Sequence, residues 1–334
     1  MHSVQAPAKV LVTGANGFLA LHVVQQLLEQ GYFVRGTVRS AAKGEWIKNK
    51  FPAFSSKLEY VIVEDITKEG AFDEAIKGMD AVLHTASPVP DNFAGNYDTI
   101  YVPAVKGTTS IFNSLKGSTT VKRVVFTSSF VAMMEPHESG YHYTEADWNN
   151  NASTLIKKSP NDLPGVMIYL AAKTDAEHIA WDFYNEHKGQ VQWDLVTLNP
   201  PYIWGPMLQD EPNFSSNLVY RLAFEEKPED KVGQHAGSWI DVRDTAKAHV
   251  LSLQKEKAGG ERFLIAGGAF KWQDIYNELQ TLNIPEIPKG VRDDDPYDII
   301  DTSKATRILG LEYITLGKSV RDSIKVQLAR KSQK

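Results

Sequence analysis

The apolar run Val10-Leu11-Val12 leads straight into Thr13-Gly14-Ala15-Asn16-Gly17-Phe18-Leu19-Ala20, and an amphipathic stretch follows. A strand, a tight glycine turn and a helix start make a place to hold a dinucleotide. The strand delivers the chain to the carboxyl edge of a sheet. Gly14 can turn with positive φ, and Gly17 has no side chain to keep a pyrophosphate from the backbone. The N–H groups that open the helix then face phosphate charge. Phe18, Leu19, Val23, Val24, Leu27 and Leu28 form an apolar stripe at helical spacing, and small Ala20 lets the helix approach the sheet. The spacing is Gly-x-x-Gly-x-x-Ala rather than the commoner Gly-x-Gly-x-x-Gly.

The rest of the first half alternates strand and helix signals. Apolar runs at 10–13, 33–38, 58–63, 81–84 and 123–127 are separated by helical patterns at 21–29, 42–50, 71–77 and 99–115. A long helix from about 165 to 186 precedes a sixth strand at 193–198. Such alternation predicts an α/β fold: a doubly wound parallel sheet with right-handed crossovers and the usual dinucleotide-binding strand order. After Pro200 the prolines and glycines multiply, and strand candidates at 238–242 and 262–265 are separated by loops. The expectation is a nucleotide-binding domain over 1–200, with an irregular insert at 133–163. A smaller, partly discontinuous substrate lobe would take most of 201–334, with 238–254 returning to the first domain. Asp293-Asp294-Asp295-Pro296 reads as an exposed turn, and 319–328 as a closing helix.

Bulk properties exclude several classes of function. The 334 residues carry 36 Lys+Arg against 41 Asp+Glu, a formal charge of -5 with no basic stripe, so no nucleic-acid partner is expected. No apolar run approaches the ~18 residues that span a membrane, and the first eight residues lack a signal-peptide core. With no cysteine there is no disulfide or thiolate chemistry, which fits a cytoplasmic protein. The histidines are scattered without metal-ligand spacing, so no metal is expected. His84, His178 and His249 read as packed residues.

Cofactor choice is written at the end of the second strand. An Asp or Glu there would bind the free 2′-hydroxyl of NAD, and an Arg would accommodate the 2′-phosphate of NADP. The chain reads Arg35-Gly36-Thr37-Val38-Arg39-Ser40, with Lys43 four residues beyond Arg39 and no acid in the stretch. Arg39 can make a planar two-bond contact to a phosphate, and Lys43 adds a point charge. Asp65 and Ile66, after the third strand, are placed to meet the adenine. Thr85, Ala86 and Ser87, after the fourth, would pass beneath the cofactor. Thr13, Gly14, Asn16, Gly17, Phe18 and Leu19 complete the expected cofactor set.

Tyr169-Leu170-Ala171-Ala172-Lys173 is the string that carries chemistry. A spacing of four puts both side chains on one helix face. An ammonium beside a phenol favours the phenolate, so the pair is expected to be an acid/base tuned downward, able to protonate an oxygen as a carbonyl is reduced. Ser129 could hydrogen-bond the same oxygen. Tyr184-Asn185-Glu186-His187-Lys188 matches the string too. On one helix the two tyrosines would lie ~22 Å apart at ~1.5 Å per residue, so only one can serve. Tyr169 lies near the helix start, where loops gather over the sheet edge. Tyr184 reads as a surface coincidence.

Together these strings resemble the extended short-chain dehydrogenase/reductases, in that family's order and over nearly the whole chain. Val-Thr-Gly-Ala-Asn-Gly-Phe at 12–18, His-Thr-Ala-Ser-Pro at 84–88, Asn-Pro at 199–200 and Asp-Val-Arg-Asp at 241–244 look like its dihydroflavonol-reductase-like branch, most of all the fungal NADPH-dependent carbonyl reductases. The resemblance implies Ser129, Tyr169 and Lys173 as the catalytic set, with NADPH as cofactor and Lys173 also holding the nicotinamide ribose. It implies Pro200 and Ile203 beside the nicotinamide, and Val89, Phe130, Met134 and Tyr202 around a small carbonyl substrate. Separately, a monomer or homodimer is expected.

The chain departs from wider family patterns at two places. No Asn occurs in Val102-Pro103-Ala104-Val105-Lys106-Gly107, where many relatives carry a fourth catalytic residue, so the proton relay beyond Lys173 is undefined. The Asn-Trp-Tyr element of cinnamoyl-CoA reductases is missing before Tyr169, which argues against an acyl-CoA substrate. An NADPH-dependent aldehyde and ketone reductase is the leading expectation. The alternatives are a nucleotide-sugar epimerase or dehydratase of the same fold, and an NADP(H)-sensing regulator without turnover.

Overall fold

Residues of the central strands alternate between two apolar layers, as a sheet covered on both faces requires. Val10 and Val12 face one core while Leu11 faces the other; Leu83 and Val82, Val125 and Val124, and Val196 and Leu195 divide in the same way. A computed structural model describes residues 2–87, 95–212, 217–221, 236–282 and 296–331. The strands of the main sheet are β1 (Lys9–Val12), β2 (Phe33–Val38), β3 (Leu58–Ile62), β4 (Ala81–His84) and β5 (Arg123–Thr127). Two small-sheet elements, β6 (His142–Tyr143) and β8 (Tyr202–Trp204), flank β7 (Asp194–Asn199) in sequence. Beyond them come β9 (Ala236–Asp241), β10 (Arg262–Leu264), β11 (Gly268–Lys271) and β12 (Ile299–Ile300).

Seven parallel strands run in the order β10-β7-β5-β4-β1-β2-β3. This is the expected nucleotide-binding order extended by one strand. Helix α1 (Phe18–Glu29) packs on one face, its Leu21, Val24 and Leu28 in the same core as Ala246, Val250 and Leu253. The other face is covered by Phe72 and by α4 (Val102–Lys116) and the long α6 (Gly165–His187), through Ile111, Phe112, Ala176 and Ala180. Between these, α2 is Ala41–Lys50, α3 is the single turn Asp73–Ile76 and α5 is Asn150–Lys158. The expected helix at 71–77 shrinks because Gly70, at φ 72°, and Gly78, at φ 71°, bracket it with left-handed turns.

Two elements depart from the sequence-based domain division. The strand expected at 238–242 does not return to the large sheet: β9 lies between β8 and β11 in a three-stranded sheet. Only the helix after it, α7 (Val242–Gln254), packs back against α1. Conversely β10, expected in the smaller lobe, adds to β7 as the seventh parallel strand. Its three residues are all buried, a run too short to show periodicity. The Asp293–Asp295 turn lies outside the described residues. Among the described residues no helix is long and apolar enough to cross a membrane.

Candidate active site

Strand order reverses between β1 and β4, which opens a crevice at their carboxyl ends. Gly14, in the turn after β1, has φ 65°, and a Cβ there would meet Ala86 Cα at 3.2 Å. Its N–H donates to Thr37 Oγ1 at 3.0 Å, which ties the turn to β2. Gly17 starts α1 with no side-chain cap, so the first N–H groups of the helix are not claimed by one. Phe18 and Leu19 pack with Ile203, Met207 and Val242, joining the turn to β8. Asn16 is half-buried at its tip.

Across the crevice, the Thr13 hydroxyl accepts from the backbone N–H of both Thr85 and Ala86 at 3.0 Å. It also meets Nδ1 of His84 at 3.0 Å. Burial, and then the charge of Lys173, push His84 down to about 3, so its ring is neutral. His249 is likewise buried, and His178 stacks on Trp148 at 4.0 Å between ring centroids. All three are packed, as the sequence suggested.

At the end of β2, Arg39 and Lys43 are exposed and make no ion pair or hydrogen bond among the described residues. Asp65 Oδ1 accepts from the N–H and the hydroxyl of Thr67, and these bonds hold its carboxyl below the usual range. Ile66, Ala86, Ser87 and Lys173 line one cavity with His84, Ala104 and Thr127. Expected floor residues and an expected reacting group therefore meet at one place. An uncapped helix start, a glycine turn pressed on Ala86 and two free cations suit a dinucleotide that carries an extra phosphate.

The residues expected to react come from two elements, the turn after β5 and helix α6, and β7 fixes the first of them. The register that pairs Thr127 with Leu198 lays Ser128 and Ser129 beside Asn199 and Pro200. Ser128 N–H donates to Leu198 O and Phe130 N–H to Pro200 O, both at 2.9 Å. Ser129 then caps a short 3-10 turn, with its hydroxyl 3.4 Å from both Val131 N and Pro200 O. Tyr169 and Lys173 stand one turn apart on α6. The Ser129 hydroxyl hydrogen-bonds the Tyr169 phenol.

Tyr169 is not tuned downward. Burial pushes the phenol up to about 12, and the Ser129 hydrogen bond opposes it only in part. Lys173, 6 % exposed, is itself pushed down to about 8 by burial, with the charge of Glu177 holding it up. Desolvation disfavours the charged form of both groups and is the largest cause of each shift. The phenol is therefore a neutral donor across the neutral range.

Of the residues expected around the substrate, Met134 is 39 % and Tyr202 40 % exposed. Tyr202 lies close enough to act electrostatically on Tyr169. Phe130 is 5 % exposed, and its ring packs edge-on against Tyr143 at 4.9 Å. It shares a small apolar cluster with Met133, Tyr143 and Leu264. Val89 lies outside the described residues, as does Pro88 of the 84–88 string. Tyr184 is half-buried rather than on the surface. It stacks on Trp193 and feels Asp194 and Arg123, at the amino end of β5 and β7.

Sequence reasoning passed over Glu177. It is fully buried and accepts from Ser128 Oγ at 2.6 Å, Asn199 Nδ2 at 2.7 Å and Arg262 Nε at 2.7 Å. The available signal was an acid four residues beyond Lys173, on the face that Tyr169 and Lys173 share.

A profile of the NAD dependent epimerase/dehydratase family matches residues 10–266. The NADPH-dependent methylglyoxal reductase GRE2 of Saccharomyces cerevisiae is 33% identical over 94% of this chain and 96% of its own. Aldehyde reductase 2 of Sporidiobolus salmonicolor is 33% identical over 94% of each chain. The crystal structure of yeast methylglyoxal/isovaleraldehyde reductase complexed with NADPH has a TM-score of 0.85 and 30% identity, covering 98% of this chain and 100% of that one.

Proposed function

This chain belongs to the NAD dependent epimerase/dehydratase family, the extended short-chain dehydrogenase/reductases, and we propose that within it the protein is an NADPH-dependent reductase of aldehydes and ketones. The observation that carries the reading is the convergence of Ser129, Tyr169 and Lys173 at the sheet edge, beside the glycine turn. Two relatives that are 33% identical and span nearly the same length are a methylglyoxal reductase and an aldehyde reductase. In this reading Arg39 and Lys43 hold a 2′-phosphate, the α1 start takes the pyrophosphate, and Asp65 and Ile66 flank the adenine. Thr85, Ala86 and Ser87 form the floor, with Pro200 and Ile203 at the reacting end.

When bound, a nicotinamide cofactor would supply the hydride that reduces the carbonyl carbon. This chain's residues manage the oxygen. Tyr169 donates its phenolic proton to that oxygen as negative charge develops. An alkoxide is far more basic than a phenolate, so even a phenol pushed up to about 12 transfers its proton downhill. Ser129 donates a hydrogen bond to the same oxygen and orients it. The Lys173 ammonium stabilises the phenolate left behind. Met134 and Tyr202 offer an apolar and aromatic wall, which favours ketoesters and aryl ketones over charged substrates.

The test is oxidation of NADPH, against NADH, with a panel of aldehydes, diketones, ketoesters, keto acids and aryl ketones. Turnover with NADPH on uncharged carbonyls is the expected result. Retention of a tightly held NAD with no carbonyl turnover would overturn it in favour of epimerase-type chemistry.

A further inference from the structure

Tyr169, Lys173 and Glu177 follow one another at intervals of four along a single face of α6. The first two carry the proposed chemistry. The third is fully buried and points into the seam between β5, β7 and β10. Each of its oxygens is claimed several times. Oε2 accepts from Ser128 Oγ at 2.6 Å, Asn199 Nδ2 at 2.7 Å and Arg262 Nη2 at 3.2 Å. Oε1 accepts from Arg262 Nε at 2.7 Å, Thr197 Oγ1 at 3.0 Å and Trp181 Nε1 at 3.4 Å.

Two of these contacts lead on to Ser129. Asn199 Nδ2 also donates to the carbonyl oxygen of Ser129 at 3.1 Å, so one amide group spans Glu177 and the Ser129 backbone. Ser128 is its chain neighbour. Resting on the reductase reading above, we propose that Glu177 is a positioning residue for the whole reacting set: its carboxylate fixes the backbone that carries Ser129 and keeps a negative charge one helical turn from Lys173.

A purely structural reading would make Glu177 a cross-link among β5, β7, β10 and α6. A buried ion pair is weak evidence for stability, since replacing such a pair by neutral groups is often harmless. The geometry adds a different consequence. Burial works against charge on Lys173, and Glu177 is the group that works for it. Burial also pushes Glu177 up, but the Arg262 guanidinium and the Ser128 and Asn199 hydrogen bonds hold it below its usual range, so it stays charged. Among the described residues, the other groups facing Lys173 add no counter-charge. His84 on β4 is neutral. Thr108 and Ala104 come from α4, and Phe126 and Thr127 from β5, none of them charged. Tyr169, on its own helix, is a neutral phenol. Arg262 on β10 brings a positive charge, directed at Glu177.

The experiment follows Lys173 in the cofactor-free protein, labelled with 13C at lysine Cε and read by NMR across pH. The Lys173 signal is assigned by its loss in Lys173→Met. Wild type should inflect near 8. Glu177→Gln should inflect lower, by on the order of one pH unit, since one unit needs only about 1.36 kcal/mol. Glu177→Asp keeps the charge and should return close to wild type. Should Glu177→Gln fail to fold, Glu177→Gln with Arg262→Met removes both buried charges and should shift Lys173 in the same direction. Lys173 titrating unchanged in the neutral variants would overturn the proposal. So would an equal shift in Glu177→Asp, which would mark the effect as loosened packing. Because this readout needs no turnover, it stands apart from the fate of the reductase reading. If turnover is found, kcat/KM at pH 6, with Lys173 charged in every variant, isolates the geometric part. Glu177→Gln should lose roughly tenfold there, the scale of about 1.4 kcal/mol for a misplaced hydrogen-bonding group.

Discussion

The hydroxyl of Thr13 accepts the backbone N–H of Thr85 at 3.0 Å, so the residue after β1 holds the residue after β4. The same oxygen takes Ala86 N–H and meets His84, and it joins both banks of the crevice. Thr13→Val keeps the shape and strips these bonds. Each N–H left without a partner costs about 1–3 kcal/mol. A lower Tm and weaker NADPH binding by fluorescence titration are expected. Unchanged NADPH affinity would remove this bridge from the cofactor floor.

Tyr169→Phe should keep fold and NADPH binding but lose ~10²–10⁴-fold in kcat, the usual scale of general acid catalysis. Tyr184→Phe keeps its ring on Trp193 and should be nearly silent. Equal losses in the two variants would mean that the wrong tyrosine has been assigned to the chemistry.

Activity should fall on the alkaline side as pH passes about 8, where Lys173 loses its proton. The sign follows from direction: an ordinary lysine, near 10.5, would keep its charge well beyond that point. Tyr169 stays protonated through the same window, because its phenol is pushed up to about 12. A pH profile of kcat/KM that stays flat to pH 10 would contradict this account.

Arg39→Ala should largely erase preference for NADPH over NADH. Hydrogen bonds to charged groups contribute about 1.5–3 kcal/mol each, so Arg39 and Lys43 together supply on the order of 10²–10⁴ in discrimination. The ratio of kcat/KM for the two cofactors measures it. A wild-type ratio near one would sink the phosphate-site assignment.

Phe130→Ala should act on stability more than on substrate choice. The ring is packed against Tyr143, and truncating a buried Phe costs about 3–5 kcal/mol. Substitutions at exposed Met134 or Tyr202 should instead reorder a ketoester, its free acid and an acetophenone. A folded Phe130→Ala with full Tm and an altered ranking would return Phe130 to the pocket.

What could be read in advance was local. The turn at Gly14–Gly17, the strands β1 to β5 and β7, and the Tyr169–Lys173 spacing each declare themselves within a few residues. The parts that escaped depend on distant chain. Three buried residues at 262–264 show no period, so nothing local says that β10 joins β7. Arg123 sits wholly buried in β5 because Asp194, at the start of β7, lies 2.6 Å from its Nε. Burial of Tyr169 and Lys173 reversed the expected direction of the phenol, since desolvation depends on everything packed around a group. The edge-on contact between Phe130 and Tyr143, from the irregular insert, likewise has no local signal.

The seventh strand imposes an order in time. Glu177 and its hydroxyl and amide partners have all left the ribosome once β7 is made, but Arg262 follows roughly sixty residues after Asn199. At about 5–20 residues per second, the carboxylate must wait some ~3–12 s for its cation. Nascent chains arrested before Arg262 should therefore be cut by protease within α6 and β7, and chains arrested well beyond it should resist. The nucleotide-binding half is first to be made, yet its reacting centre is sealed only by a residue from the later half.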